Sequence, residues 1–329
     1  MHYDVFAICS ALMDVQARVE AEHLTRLGLT PGAMHLIEAD ERTRLLSEVE
    51  PLIVNTAAGG SGANTAMGVA ALGGTACFAG RVGRDRFGSE YTQSLGLAGV
   101  QPSLSIGDGP TGLCIVLITP DGQRTMCTYL GESRLLAPEN LPLPELRRAH
   151  TMYATGYLWD SPVQKETVRL AMATANEAAI PISLSLADTF CIERHRDEFR
   201  CLVHDEVDIL FANEAEALLL VDAEDVLQAA ERLATMRPLC FITLGDKGAL
   251  VAHRNVVQHI ETTAVNPVDT TGAGDAFAAG VLYGLNRNRT PIEAAALGNR
   301  LAAHVVSRLG PRPDTGFAAS LTASHHPQG

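Results

Sequence analysis

At 329 residues and 47% hydrophobic content, the chain can bury a large core, and it fits one big α/β domain carrying an appendage. A formal net charge of −13 argues against nucleic acid or an anionic membrane as partner, so an anionic ligand must be held by local devices. The seven cysteines form no Cys-x-x-Cys, no basic segment precedes a long apolar run, and no stretch reaches membrane-spanning length; the expectation is a soluble protein of the reducing cytoplasm without zinc site or disulfides.

Val5 to Cys9 reads as a short apolar strand, and Ala11-Leu12-Met13-Asp14-Val15 sets a carboxylate just beyond it, where open α/β sheets bind ligands. Taken alone, Asp14 fits an ordinary loop acid better. Residues 16 to about 50 leave the βαβ pattern, with a turn at Pro31-Gly32 and a short polar helix from about Asp40 to Glu48, and read as part of an insertion. In Ala57-Ala58-Gly59-Gly60-Ser61-Gly62-Ala63-Asn64-Thr65-Ala66, glycines open a helix that runs through Val69 and Leu72 to Gly73-Gly74. Gly59 and Gly60 permit close approach of a neutral polar ligand, and Asn64 can both donate to and accept from a hydroxyl. Tight strand-to-helix packing would account for one or two of these glycines rather than four.

A strand at Ala76 to Ala79 leads through Arg81-Val82-Gly83-Arg84-Asp85-Arg86-Phe87-Gly88 into another helix. Thr111 to Thr119 and Gln123 to Leu130 flank Pro120-Asp121-Gly122, a hairpin signal. An isolated hairpin is marginal, so it is expected to pair with the early insertion as a small β lid built from roughly 12–50 and 103–130. Arg124, just past the turn, reads either as a solvated turn arginine or as a guanidinium that reaches nucleotide phosphates when the lid closes. Its exposed edge leaves monomer and homodimer both open.

The remainder alternates strand and helix: Met152 to Ala154, helix from about Pro162; Ile182 to Leu186, helix from about Ile192; Val207 to Phe211, helix from about Glu214; Cys240 to Leu244, then Ala249 to Ala252. Such alternation implies a mostly parallel sheet with helices on both faces, within one domain over 1–329. Asn213 and Glu216 have the spacing of an N-cap with its capping-box partner. Asn299 lies in a helix from Pro291 to Leu309, and residues 323–329 read as a frayed tail.

Between these last elements lies Val268-Asp269-Thr270-Thr271-Gly272-Ala273-Gly274-Asp275-Ala276-Phe277. Gly272, Ala273 and Gly274 let the backbone turn tightly and aim its amides at an anion, and the apolar helix that follows puts the positive end of its macrodipole there. Asp275 would repel a phosphate unless it faces an attacking hydroxyl and takes its proton as the phosphoryl group moves. A helix cap would need only one residue of this string. No Gly-x-x-x-x-Gly-Lys-Ser/Thr occurs, and Thr65 and Phe277 stand where a dinucleotide fingerprint needs its third glycine.

This string closely resembles the second signature of the PfkB family of carbohydrate and nucleoside kinases, and the segment from Gly59 to Gly88 resembles the first. The resemblance implies a ribokinase-like three-layer α/β/α sandwich with a small β lid, working on ATP and Mg²⁺. It implies Asp275 as base, Gly272, Ala273 and Gly274 as anion hole, and Asp14, Gly59, Gly60 and Asn64 as the grip on acceptor hydroxyls. It further implies Arg124 at the phosphates, Asn213 and Glu216 organising Mg²⁺ through water, and Thr243, Gly245 and Gly248 meeting the nucleotide. Asn299 is an adenine-edge candidate. Asp269 and Thr271 would help hold a monovalent cation, usually K⁺, with the loop Gly310-Pro311-Arg312-Pro313-Asp314.

Gly156 to Pro162, Leu184 to Phe190 and Val207 to Asn213 resemble adenosine kinases, bacterial ones above all, more than sugar kinases. A purine wants flat apolar faces, and Tyr157, Trp159 and Phe190 follow predicted strands on the rim where the site should be. Cys9-Ser10 departs from the Gly-Asn usual before the Asp14 segment. The expectation is a nucleoside kinase making a 5′-monophosphate, adenosine to AMP, in purine salvage; a ribokinase-type sugar kinase is the alternative, and a silent nucleoside-binding protein a more distant one.

Overall fold

Val5, Phe6, Ala7 and Ile8 are each completely buried, the mark of a strand covered on both faces at the centre of a sheet. The computed structural model, which describes residues 2–314 and Phe317, places them in β1. The first eight strands are β1 (Tyr3–Ile8), β2 (Leu12–Arg18), β3 (Met34–Leu36), β4 (Ile53–Gly59), β5 (Ala76–Gly83), β6 (Val100–Gly107), β7 (Gly112–Ile118) and β8 (Arg124–Tyr129). The other six are β9 (Ala149–Thr155), β10 (Ile182–Ser185), β11 (Ile209–Asn213), β12 (Leu239–Thr243), β13 (Ala249–His253) and β14 (Val256–Ile260).

A nine-stranded sheet has the order β14-β13-β12-β11-β10-β9-β1-β5-β6. From β12 to β6 every pairing is parallel, while β13 and β14 close one edge antiparallel. Alternate residues of β1 feed two cores: Phe6 and Ile8 pack with the helices Pro162–Glu177, Thr189–Asp205, Glu214–Val221 and Val226–Ala234. Val5 and Ala7 pack with Ser61–Ala71, Arg86–Leu97, Ala273–Leu285 and Pro291–Val306. This is the expected ribokinase-like three-layer fold.

A second, five-stranded sheet has the order β3-β8-β7-β2-β4. Its own small core joins Ala17, Ile115, Leu117 and Cys127 to Leu24 and Leu45 of the helices Ala21–Leu27 and Ala39–Val49. The small sheet therefore draws on other residues than the lid span read from sequence. Ile53–Gly59 belongs to it as an edge strand, beyond the expected limit at 50, and 103–107 belongs to β6 of the large sheet. Both were hard to see because edge strands lack a continuous apolar run: Val54, Asn55 and Thr56 are exposed, and β6 carries Pro102, which an edge tolerates. β14 escaped for the same reason. The tail expected at 323–329 lies outside the described residues.

Candidate active site

Tyr157, Phe190, Asn213, Glu216, Thr243 and Gly245 lie at or just after the C-terminal ends of the parallel strands β9 to β12, whereas Asp14, Gly59 and Arg124 belong to the small sheet. Gly272, at φ +76°, turns the chain into the helix Ala273–Leu285; a side chain there would meet Pro311 at 2.6 Å, so the turn is both left-handed and tightly covered. Ala276 makes the first intrahelical bond, to Gly272 O, and the amides of residues 273–275 precede it. Of these, the Ala273 N–H is turned to Thr270 O at 3.2 Å. Of the amides expected to form a cradle over residues 272–274, that of Ala273 is thus already engaged within the turn.

Asp275 occupies the third helical position, and the neighbouring helix Ser61–Ala71 supplies its partners. Ser61 Oγ donates to Asp275 Oδ1 at 2.5 Å and Asn64 Nδ2 donates to Oδ2 at 2.9 Å. Burial raises the pKa of Asp275, and those two bonds oppose the rise. A buried carboxylate of raised basicity, fixed by two donors, is chemically suited to accept a proton. Ser61 was not singled out in the sequence, though its place as first helical residue after the Gly-rich turn was the available signal.

Asp14 lies on β2 of the small sheet rather than in a loop beyond β1. Its carboxylate is held against Gly59, where an added Cβ would stand 2.3 Å from Oδ1. Burial brings its pKa up to about 7; Arg312 opposes this, and the nearby Asp275 adds to it. Gly60, at φ +89°, presses on Ser10 O, where a side chain would come within 2.6 Å. The first turn of the glycine-rich helix thus lies between Asp275 and the small sheet.

Arg124 is the link between the small sheet and the cradle. Its Nη2 pairs with Asp269 Oδ2 at 2.6 Å and its Nη1 donates to Thr271 Oγ1 at 2.8 Å, so it is not a solvated turn residue. Burial alone would raise Asp269, but amides of Thr271 and Gly310 and the Arg124 charge hold it below the usual range. The Asp269 carboxylate is thereby committed to the small sheet and to the 310 loop.

Asn213 and Glu216 form the capping box that their spacing allows. Asn213 Oδ1 accepts from the Glu216 amide at 2.9 Å, Glu216 Oε2 accepts from the Asn213 amide at 3.0 Å, and Asn213 Nδ2 donates to Glu216 Oε1 at 2.7 Å. Burial lifts Glu216 to about 7 against that amide bond, and Asp188 adds to the rise. Thr243 pairs with Asn213 across β12 and β11, Gly245 has a positive φ of 64°, and Gly248 is packed so that a side chain would meet Ile260 O at 2.1 Å. Asn299 is buried and donates to the carbonyls of Ile260 and Glu261, so it is no solvated helix residue and its amide hydrogens are engaged.

The aromatic candidates divide. Trp159 is 2% exposed and packs on Phe199, a core residue rather than a rim one. Tyr157 and Phe190 remain at the rim, 6.1 Å apart, with Tyr157 OH donating to Ala187 O and the Arg194 guanidinium over the Phe190 ring. Burial raises the Tyr157 phenol well above its ordinary value, and the charges of Asp188, Asp275 and Glu216 add to the rise. Among the described residues, no group of three or more His, Cys, Asp or Glu is arranged to hold a metal directly. No helix among them is long and apolar enough to cross a membrane. A surface hollow lined by Arg200, Val221, Glu231, Arg232, Thr235 and Met236 holds none of these candidates.

The chain is 37% identical to adenosine kinase from Sinorhizobium meliloti, with a TM-score of 0.90 over 98% of this chain and 100% of that one. It is 35% identical to a probable sugar kinase from Rhizobium etli CFN 42, with a TM-score of 0.91 over 98% and 99% of the two chains. A fructokinase of Klebsiella pneumoniae is 30% identical over 251 residues, 74% of this chain and 82% of that protein. The model of the pfkB family carbohydrate kinases matches residues 23–315, from the small sheet through the cradle to the 310 loop. The chain belongs to the pfkB family and is a phosphotransferase with an alcohol group as acceptor.

Proposed function

We propose that the protein transfers the terminal phosphoryl group of ATP to the 5′-hydroxyl of a nucleoside, adenosine foremost. Asp14, Asn64 and the Gly59-Gly60 backbone hold the ribose hydroxyls, and Asp275 takes the proton of the attacking alcohol. The amides at the head of the Ala273–Leu285 helix and Arg124 face the phosphates. The observation that carries this is Asp275 itself, raised in basicity and fixed by Ser61 and Asn64 at the end of an anion-binding turn.

Kinases of this family use ATP and typically a divalent metal. The buried carboxylate of Glu216 and the exposed Asn213 bonded to it, with Asp188 nearby, suit a hard cation held through its waters, and bound there it would neutralise phosphate charge. Thr243, Gly245 and Gly248 stand where the nucleotide's ribose and phosphates would lie. A monovalent cation would rest on backbone carbonyls near Asp269 and Thr271, since the Asp269 carboxylate already serves Arg124, Thr271 and Gly310.

The choice of a nucleoside rests on the Tyr157–Phe190 pair beside the carboxylates and on likeness to the Sinorhizobium enzyme. Likeness to the Rhizobium probable sugar kinase and the Klebsiella fructokinase favours a second reading, a free pentose or hexose as acceptor. A coupled ADP assay over adenosine, guanosine, inosine, ribose and fructose tests this. The expected result is highest kcat/KM for adenosine; a preference for either sugar would overturn the nucleoside reading, and binding without ADP formation would overturn the kinase reading.

A further inference from the structure

Among the described arginines with a buried, unpaired guanidinium nitrogen, Arg42, Arg196 and Arg308 leave only Nε without a partner, whereas Arg312 leaves a terminal nitrogen. Arg312 sits in the loop after the last helix, and the loop is fixed to the cradle at two points: the Gly310 amide donates to Asp269 Oδ2 at 2.9 Å, and Pro311 lies over Gly272. From that anchorage the side chain turns inward. Its Nε approaches Asn64 Oδ1 at 3.5 Å, and the charges of Asp14 and the Tyr91 phenol act on it. Its Nη2 is buried and has no hydrogen-bond partner. A guanidinium donor sealed from water and left unpaired is costly, and such a group is retained where a ligand completes it.

We infer that Arg312 is an acceptor-binding residue whose Nη2 donates to a ring hydroxyl of the acceptor, the same hydroxyl edge that Asp14 grips as a hydrogen-bond acceptor. The paired groups discriminate strongly. A carboxylate and a guanidinium facing one vicinal diol satisfy both a donor and an acceptor, and an analogue lacking a hydroxyl leaves a buried charge unpaired. Arg312 also approaches the Asn64 oxygen, which favours the amide flip that presents Asn64 Nδ2 to the base. This inference rests on the acceptor lying against Asp14, as proposed above.

The test measures steady-state kinetics with adenosine, 2′-deoxyadenosine and 3′-deoxyadenosine for the wild type, Arg312→Gln, Arg312→Lys and Asp14→Ala. Arg312→Gln is expected to raise the adenosine KM by about 10- to 100-fold, the scale of a lost charged hydrogen bond, with the ATP KM unchanged. The wild type's preference for adenosine over one of the two deoxy analogues should collapse in the same variant, and Arg312→Lys should restore part of it. A merely structural arginine would move both substrates' KM together and leave the preference intact, which would overturn the inference. If Asp14→Ala weakens adenosine while Arg312→Gln does not, Arg312 alone is misassigned; if Asp14→Ala leaves the adenosine KM unchanged, the acceptor site itself is misplaced and the inference falls with it.

Discussion

Asp275 is held by two donors, and an amide in its place can keep both contacts if it accepts from Asn64 Nδ2 and the Ser61 hydroxyl turns to accept from it, which makes its charge separable from its geometry. Asp275→Asn is expected to keep both substrates' KM within a few-fold and to lower kcat by at least about 10², the scale of general-base catalysis. Near-normal turnover in a steady-state assay would remove the base from the mechanism. Asp14 answers a different question, because burial has raised it to about 7 from an ordinary 3.8. The folded protein therefore binds this proton more tightly than the unfolded chain, so ionised Asp14 erodes stability progressively as pH rises through that interval. Asp14→Asn should melt higher than the wild type at about pH 8, with the difference closing towards about pH 4. Calorimetry at both pH values checks this, and a variant that melts lower at pH 8 would contradict the burial cost.

At the scale of elements, the cradle helix depends on glycine for its packing. A Cβ on Gly280 would lie 2.7 Å from the Gly298 Cα, so Ala273–Leu285 and Pro291–Val306 meet backbone to backbone. Gly280→Val cannot be absorbed by a side-chain rotation and is expected to cost about 1–3 kcal/mol or more in urea unfolding, the usual range for overpacking. Because the same helix carries Asp275, kcat should fall as well; an unchanged unfolding midpoint would show that the helices can part freely. The small sheet meets the cradle through Arg124, whose bonds to Asp269 and Thr271 span two otherwise separate elements. Arg124→Ala should raise the ATP KM and let water compete, so that ADP forms in excess over phosphorylated acceptor. Equal amounts of the two products in that variant would deny the arginine any part in closure.

For the whole molecule, a net charge of −13 means that a polyanionic nucleotide meets an unfavourable overall field, which the proposed cradle, Arg124 and a counter-cation would offset locally. Chelation with EDTA is expected to abolish transfer, and Mg²⁺ to restore it, in the ADP assay; full activity in excess EDTA would contradict the assignment to Glu216 and Asn213. The strand–helix alternation and the Gly-rich turns could be read along the chain, since each is a contiguous stretch whose periodicity or backbone demand is local. Asp14, Asn64 and Asp275 were recognisable as well, through the strings that carry them. Edge strands β4, β6 and β14 were not, because a strand with one wet face shows no apolar run. Nor was the burial of Trp159, or the meeting of Ser61 with Asp275 and of Arg312 with Asn64, pairs separated by 214 and 248 residues. Sequence alone determined which chemistry the chain carries; only the folded structure decided which groups share one water-poor space, because that depends on how distant strands and helices cross.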